Sequence, residues 1–264
     1  MVLFNSGDIE IYYEIHGQGD PLLLLHGLGS SSRDWEPQLS HFARLFKVIT
    51  LDLRGHGRSS KPPGPYTMSM FAEDTAHLLE GLDFGPVHLL GISLGGMVAF
   101  QMALDYPELI KNLVIVNSVP ELVPGGVGDL LAYWQRLLII RLLGMKKMGE
   151  VLAERFFTEP GQEGIKAVFI ERWSENHKPS YRAALKAVYG WSVRERLGEI
   201  DIPTLVLGAE GDYFPTSDKE AYTALIPDAR LVVIKNTKHA LPAEKPDEFN
   251  QVVEKFLMVD PITR

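Results

Sequence analysis

The chain has 264 residues, 45% hydrophobic and 23% charged, a balance that supports one large globular core and excludes extended disorder. Its formal net charge of -8, with no basic stripe, disfavours nucleic acid as a partner. Cysteine is absent, which removes disulfides, thiolate metal sites and a cysteine nucleophile. No apolar run approaches the length of about 18 residues that a membrane span needs. The segment from Met1 to His16 alternates apolar and polar residues and carries Asp8, Glu10 and Glu14, unlike the basic-then-apolar layout of a signal peptide. A cytoplasmic location is the expectation.

Ile9 to Ile15 reads as a strand by its period-two alternation, closed by the turn Gly17-Gln18-Gly19-Asp20-Pro21. Leu22 to Leu25 follows without a polar residue, the pattern of a strand buried on both faces. A helical stretch from Trp35 to Leu45 leads to a strand at Val48 to Leu53. A second, Met70 to Leu82, leads to Val87 to Leu90, and a third, Leu94 to Tyr106, to Leu113 to Val116. Strand alternating with helix predicts a parallel sheet with right-handed crossovers and helices on both faces. From about Pro120 to Ile200 the periodicity is helical only, and strands resume at Thr204 to Leu207 and Leu231 to Ile234 before a last helix at Asp247 to Leu257. The expectation is a core domain of residues 1–119 and 201–264 with an inserted all-helical cap at 120–200. Within the cap, Leu130 to Met145 is apolar around much of its circumference. Such a helix packs on the sheet domain, lines a lipophilic pocket with Trp134 and its neighbours, or meets a second copy in a homodimer.

Functional groups of such sheets gather at the carboxyl ends of the strands, and His26, Asp52 and Ser93 all fall there. Gly91-Ile92-Ser93-Leu94-Gly95-Gly96 places a serine between glycines where a strand turns sharply into a helix. That geometry projects the hydroxyl, excludes large neighbours and directs the Leu94 N–H into the same space. In His26-Gly27-Leu28-Gly29 a glycine turn can aim the Leu28 N–H at the same point, giving a two-donor oxyanion hole, while His26 itself braces the loop. Serine needs a base. His239, on the loop after the strand Leu231 to Ile234, is the strongest candidate, with His56 in the loop Asp52 to Ser59 as a rival. Asp212, after Thr204 to Leu207, is the preferred acid to orient it, with Glu210, Asp218 and Glu121 as alternatives.

The order Ser93, Asp212, His239, together with the serine turn and the two loops at His26 and Asp52, resembles the α/β-hydrolase superfamily over nearly the whole chain outside the cap. The resemblance implies an eight-stranded, mostly parallel sheet with a helical cap. It also implies Ser93 as nucleophile, His239 as base, Asp212 as orienting acid and the N–H groups of Leu28 and Leu94 as the oxyanion hole. The expected reaction is cleavage of a small-molecule carboxylic ester through an acyl-enzyme, with no metal or organic cofactor. One fold hosts many chemistries. Enol-lactone, thioester and carbon–carbon bond hydrolysis are the related alternatives, though Ala240-Leu241-Pro242 after His239 lacks the tryptophan that carbon–carbon bond hydrolases often carry there. A small-molecule receptor that retains the triad is the alternative from another class.

Overall fold

A computed structural model describes residues 2–258. Met1, where the alternating N-terminal segment begins, and residues 259–264 at the end of the core range lie outside the described residues. The strands are β1 (Val2–Ser6), β2 (Ile9–His16), β3 (Pro21–Leu25), β4 (Lys47–Leu51), β5 (Val87–Ile92), β6 (Ile110–Val116), β7 (Thr204–Ala209) and β8 (Ala229–Ile234). They form one eight-stranded sheet in the order β1-β2-β4-β3-β5-β6-β7-β8. β2 pairs antiparallel with β1 and β4, and all other pairs are parallel. The eight-stranded, mostly parallel expectation therefore holds. β1 is the strand that the periodicity does not reveal: it is an edge whose Val2 and Leu3 stay exposed, so no face of it carries a burial pattern.

The central strands are apolar throughout because both faces are covered. Leu22 and Leu24 of β3 point into a cluster with Phe249, Val253 and Phe256, contributed by α9 (Pro246–Leu257), and with Phe42 of α1 (Glu36–Phe42). Leu23 and Leu25 point the other way, to Phe71 of α2 (Met68–Leu82) and to Met97 and Phe100 of α3 (Leu94–Asp105). Alternation along one strand thus supplies two cores.

Between β6 and β7 the chain forms α4 (Val127–Leu142), α5 (Gly144–Phe156), α6 (Glu163–Ser174) and α7 (Lys178–Val188). The stems of this insertion are stitched together: Leu122 and Trp191 join through a 2.9 Å N–H···O bond, and Val193 N–H reaches Pro120 O at 2.9 Å. The apolar stretch expected as one helix from Leu130 to Met145 is broken at Gly144, whose φ of +88° suits glycine and starts α5 in a new direction. Among the described residues, no helix is long and apolar enough to cross a membrane.

Buried polar groups tie the loops at the strand ends to one another. The Asp52 carboxylate, with its side chain fully buried, accepts the N–H of Ser32 and of Arg58, each at 2.7 Å, and so joins the loop after β3 to the loop after β4. His26 is buried beside it, its Nδ1–H given to Gly27 O at 2.8 Å and its Nε2 accepting the Leu53 N–H at 3.0 Å. Both ring nitrogens are used, which fixes a neutral tautomer and bears out a bracing role. His56 lies 5.1 Å from it, ring to ring. Burial lowers the pKa of both rings, that of His56 to about 3. The unfolded chain therefore binds protons below about pH 6.5 that the folded rings refuse, so folding stability falls as the pH drops toward that lower value. We predict a loss of up to about 1.4 kcal/mol per pH unit from His56 between about pH 6.5 and 4.5, above the ordinary carboxylate range, with His26 adding to it in the same direction. Urea unfolding across that interval measures it, and a flat profile contradicts it.

Candidate active site

The turn from β5 into α3 is built by excluded volume. A Cβ at Gly91 would strike the Gly95 carbonyl, one at Gly95 the Leu25 carbonyl, and one at Gly96 would lie 2.5 Å from Ser118 Cβ. The chain bends at Ser93, the one non-glycine forced to positive φ in this turn, with φ 55° and ψ -116°. Such a backbone costs of order 1–3 kcal/mol and persists only because its surroundings hold it. Here Ser93 N–H binds Val116 O at 3.0 Å and Ser118 Oγ donates to Ser93 O at 2.7 Å.

Leu94 opens α3, where the first N–H groups have no partner within the helix. Leu28 follows Gly27, whose missing Cβ would sit 3.5 Å from Ser93 Cβ. Neither N–H is taken by a protein carbonyl among the described residues, and both residues line the same cavity as Ser93 and His239. The positive end of the α3 dipole points at that space.

Asp212 and His239 meet as the sequence order predicts. His239 Nδ1 lies 2.7 Å from Asp212 Oδ1. Burial would raise the Asp212 pKa, but the hydrogen bond and charge of His239, with the Lys219 ammonium, outweigh it and hold the carboxyl below its usual range. Lys219 belongs to α8 (Thr216–Thr223); its Nζ is 2.7 Å from Asp212 Oδ2, and both side chains are fully buried. Asn117, at φ 40°, links the strand ends: its amide donates to His239 O at 2.9 Å and its Oδ1 accepts Ala209 N–H at 2.8 Å. The alternative acids lie elsewhere. Glu210 accepts Asn236 N–H, Glu121 pairs with Arg194, and Asp218 is exposed at the start of α8. The rival base His56 is buried and gives Nδ1 to Arg54 O at 3.0 Å.

Tyr213 was not singled out by its sequence context and stands at the centre of the site. Its hydroxyl lies 2.9 Å from His239 Nε2 and is electrostatically coupled to the Ser93 hydroxyl. Because Nδ1 carries the proton shared with Asp212, Nε2 is the acceptor and the phenol donates to it. Its ring stacks on His239 with centroids 4.1 Å apart, and Phe156 of α5 covers the imidazole at 4.9 Å. Although the residue is 55% exposed, desolvation of the hydroxyl against His239, reinforced by the Asp212 carboxylate, raises the phenol pKa, so it stays protonated.

The groups open onto a cavity of about 1080 Å³. Tyr133, Arg136 and Ile139 of α4 line it, with Phe156 and Trp173 from α5 and α6. Trp134, which one of the three readings of this helix places in the pocket wall, is 62% exposed and points away with Val127, Leu131, Leu138 and Leu142. The helix is apolar on two sides because one faces the cavity and the other solvent. Among the described residues, no cluster of three or more His, Asp or Glu side chains is arranged to hold a metal ion.

The family model described as alpha/beta hydrolase fold matches residues 20–246. Among curated relatives, "Putative carbamate hydrolase RutD" of Azorhizobium caulinodans is 32% identical, the match covering 96% of either chain. The 3-oxoadipate enol-lactonase 2 of Acinetobacter baylyi is 29% identical, over 95% of this chain and 94% of that one. The crystal structure of the enol-lactonase from Burkholderia xenovorans LB400 superposes with a TM-score of 0.91 at 24% identity, over 98% of this chain and 100% of that one, a likeness of fold. With the family model spanning most of the chain and the sheet order in agreement, this protein belongs to the α/β-hydrolase family.

Proposed function

We propose that the chain is a serine hydrolase that cleaves carboxylic esters, open-chain or cyclic, through an acyl-enzyme, with residues 120–200 as a cap over a core of 1–119 and 201–264. The observation that carries this reading is the 2.7 Å Asp212–His239 pair aimed through one phenol at the strained Ser93. The enol-lactonase relative supports including cyclic enol esters.

Ser93 Oγ attacks the ester carbonyl as His239 Nε2 takes its proton, and the N–H groups of Leu28 and Leu94 receive the developing oxyanion. Asp212 holds the imidazole with Nδ1 protonated and stabilises the imidazolium. The alcohol leaves with the proton from Nε2. Water, deprotonated by the same nitrogen, then cleaves the acyl-enzyme. Tyr213 occupies Nε2 before substrate arrives. A phenol is a poor proton acceptor, and desolvation of the hydroxyl disfavours its anion, so neither step is efficiently routed through it. The leaving oxygen also needs Nε2 itself. Substrate therefore displaces the Tyr213 hydroxyl, which holds the place that the leaving-group oxygen takes.

Ser93→Ala is expected to lower kcat on 4-nitrophenyl esters by about 10⁴- to 10⁶-fold and to abolish fluorophosphonate labelling. Turnover near the wild-type rate would sink the assignment. Tyr213→Phe removes one hydrogen bond that substrate must break, worth about 1 kcal/mol, and should raise kcat/KM several-fold for small activated esters. A loss of about 100-fold or more would instead make the phenol a proton carrier, an effect of the size typical of general acid–base groups. Lys219→Met strands a buried Asp212 oxygen and should cost about 3–5 kcal/mol in urea unfolding. It also removes a charge that lowers the Asp212 pKa, so the carboxylate protonates, and its stabilisation is lost, at a higher pH than in the wild type. An unchanged acid limb of the stability profile argues against the coupling.

A further inference from the structure

The wall that α4 presents to the cavity carries a single basic side chain, among Ala132, Tyr133 and Ile139, with Asp129 and Gln135 as further polar positions. Tyr133 and Ile139 flank Arg136, which is half-buried and lines the cavity. Its Nε donates to Tyr181 Oη at 2.6 Å, and its guanidinium carbon lies 5.5 Å from the centre of that ring. Tyr181 is buried against the oxyanion loop, where a Cβ at Gly29 would come within 2.9 Å of its ring. The guanidinium is thus anchored through Nε on the oxyanion side of the site, leaving its terminal amino groups to the cavity. Its charge also acts on the Tyr213 phenol beside Ser93.

Among the described residues, no carboxylate lies within 4.0 Å of the Arg136 nitrogens. The contrast with Arg172, which lines the same cavity, is informative: that guanidinium is tied to Asp34 at 3.1 Å, Glu36 at 2.6 Å and Arg33 O at 2.7 Å. Arg155 also lines the cavity but is exposed. Asp129, seven residues before Arg136 on α4, accepts the Gly125 N–H at 2.8 Å. Near Ser93 the other charges cancel, since the Asp212 carboxylate is matched by Lys219. A half-buried guanidinium without a counter-ion within ion-pair distance is incompletely compensated. Its planar fork matches a carboxylate, and one such fork with no lysine beside it suits a single negative charge.

We infer that Arg136 is the anchor for a carboxylate carried by the substrate, so that the preferred substrates are half-esters of dicarboxylic acids or lactones bearing a carboxylate. This rests on the ester-hydrolase reading above. Hydrolysis of such a half-ester forms the Ser93 Oγ–acyl bond as the ester C–O bond breaks and the alcohol takes up the proton. Water then releases the dicarboxylate and restores Ser93. The carboxylate stays on Arg136 throughout and sets the distance between the anchored end and the scissile carbonyl.

The test compares mono-4-nitrophenyl adipate with the neutral 4-nitrophenyl hexanoate, in the wild type, Arg136→Met, Arg136→Lys and Arg136→Gln. The wild type should favour the anionic ester in kcat/KM, and Arg136→Met should lower that ratio by about 10- to 100-fold, the worth of a charge-assisted hydrogen bond. Arg136→Lys should retain part of the preference. Arg136→Gln, which keeps a donor for Tyr181, should lose it, separating an anion partner from a brace. Glutarate should inhibit the wild type competitively and raise its Tm, with both effects weakened in Arg136→Gln. An equal ratio in the wild type and a folded Arg136→Gln overturns the inference while leaving ester hydrolysis intact. Conversely, no turnover of either ester, with the Arg136-dependent glutarate shift in Tm still present, supports the anion site and removes the ester reading.

Discussion

The site depends on one steric constraint: the backbone of β5 must reverse into α3 with no side chain between them. Gly91, Gly95 and Gly96 face the Gly95 carbonyl, the Leu25 carbonyl and Ser118 respectively, each at a separation that forbids a Cβ. Once those approaches are made, the strain is concentrated at Ser93, which cannot relax to negative φ without separating α3 from β3 and β6. The strained backbone fixes the hydroxyl, and the start of the helix supplies the N–H of Leu94 in the same turn. In the proposed reaction, nucleophile and oxyanion donor are therefore two consequences of one packing event.

The partners of Ser93 come from loops, which lack a ladder to hold them, and buried polar groups do that work. Asp52 binds the backbone of two loops. Asn117 holds the His239 carbonyl and the end of β7 with one amide. Lys219 sits under Asp212 with its stem against Gly208, where a Cβ would lie 2.9 Å from Lys219 Cδ. Each of these side chains is satisfied at both ends, as a low-dielectric interior requires. The consequence is a carboxylate kept ionised while wholly buried, and an imidazole kept in one tautomer.

Most of this framework is legible in the sequence because it follows local rules. Uninterrupted Leu22 to Leu25 announces a doubly covered strand, and glycines around Ser93 announce a turn that only glycine permits. Asp212 and His239 follow from their places after successive strands. What stays hidden is set by tertiary contact. Lys219 reads as a solvated helix residue because nothing near it in sequence reveals that β7 and the loop after it bury it. Tyr213 adjoins Asp212, but its hydroxyl matters only because the loop after β8 delivers His239 beneath it. Trp134 shows the same limit in reverse: apolar residues around a helix cannot say which side meets the cavity.

That ambiguity in α4 is resolved by its single inward cation. A helix with Val127, Leu131, Trp134, Leu138 and Leu142 outward and Tyr133 and Ile139 inward has two apolar faces, and hydrophobicity alone does not orient it. Arg136 does, since the bond to Tyr181 ties the inward face to α7 and, through Gly29, to the loop that carries Leu28. The same side chain thus registers the insertion against that loop and leaves its terminal nitrogens for whatever enters. A cavity of about 1080 Å³ built on such a contact has its shape set by a polar bond within its wall and by the largely apolar packing around it. On the proposed reading, chemistry is fixed by the strand ends, and the choice of what is bound passes to α4.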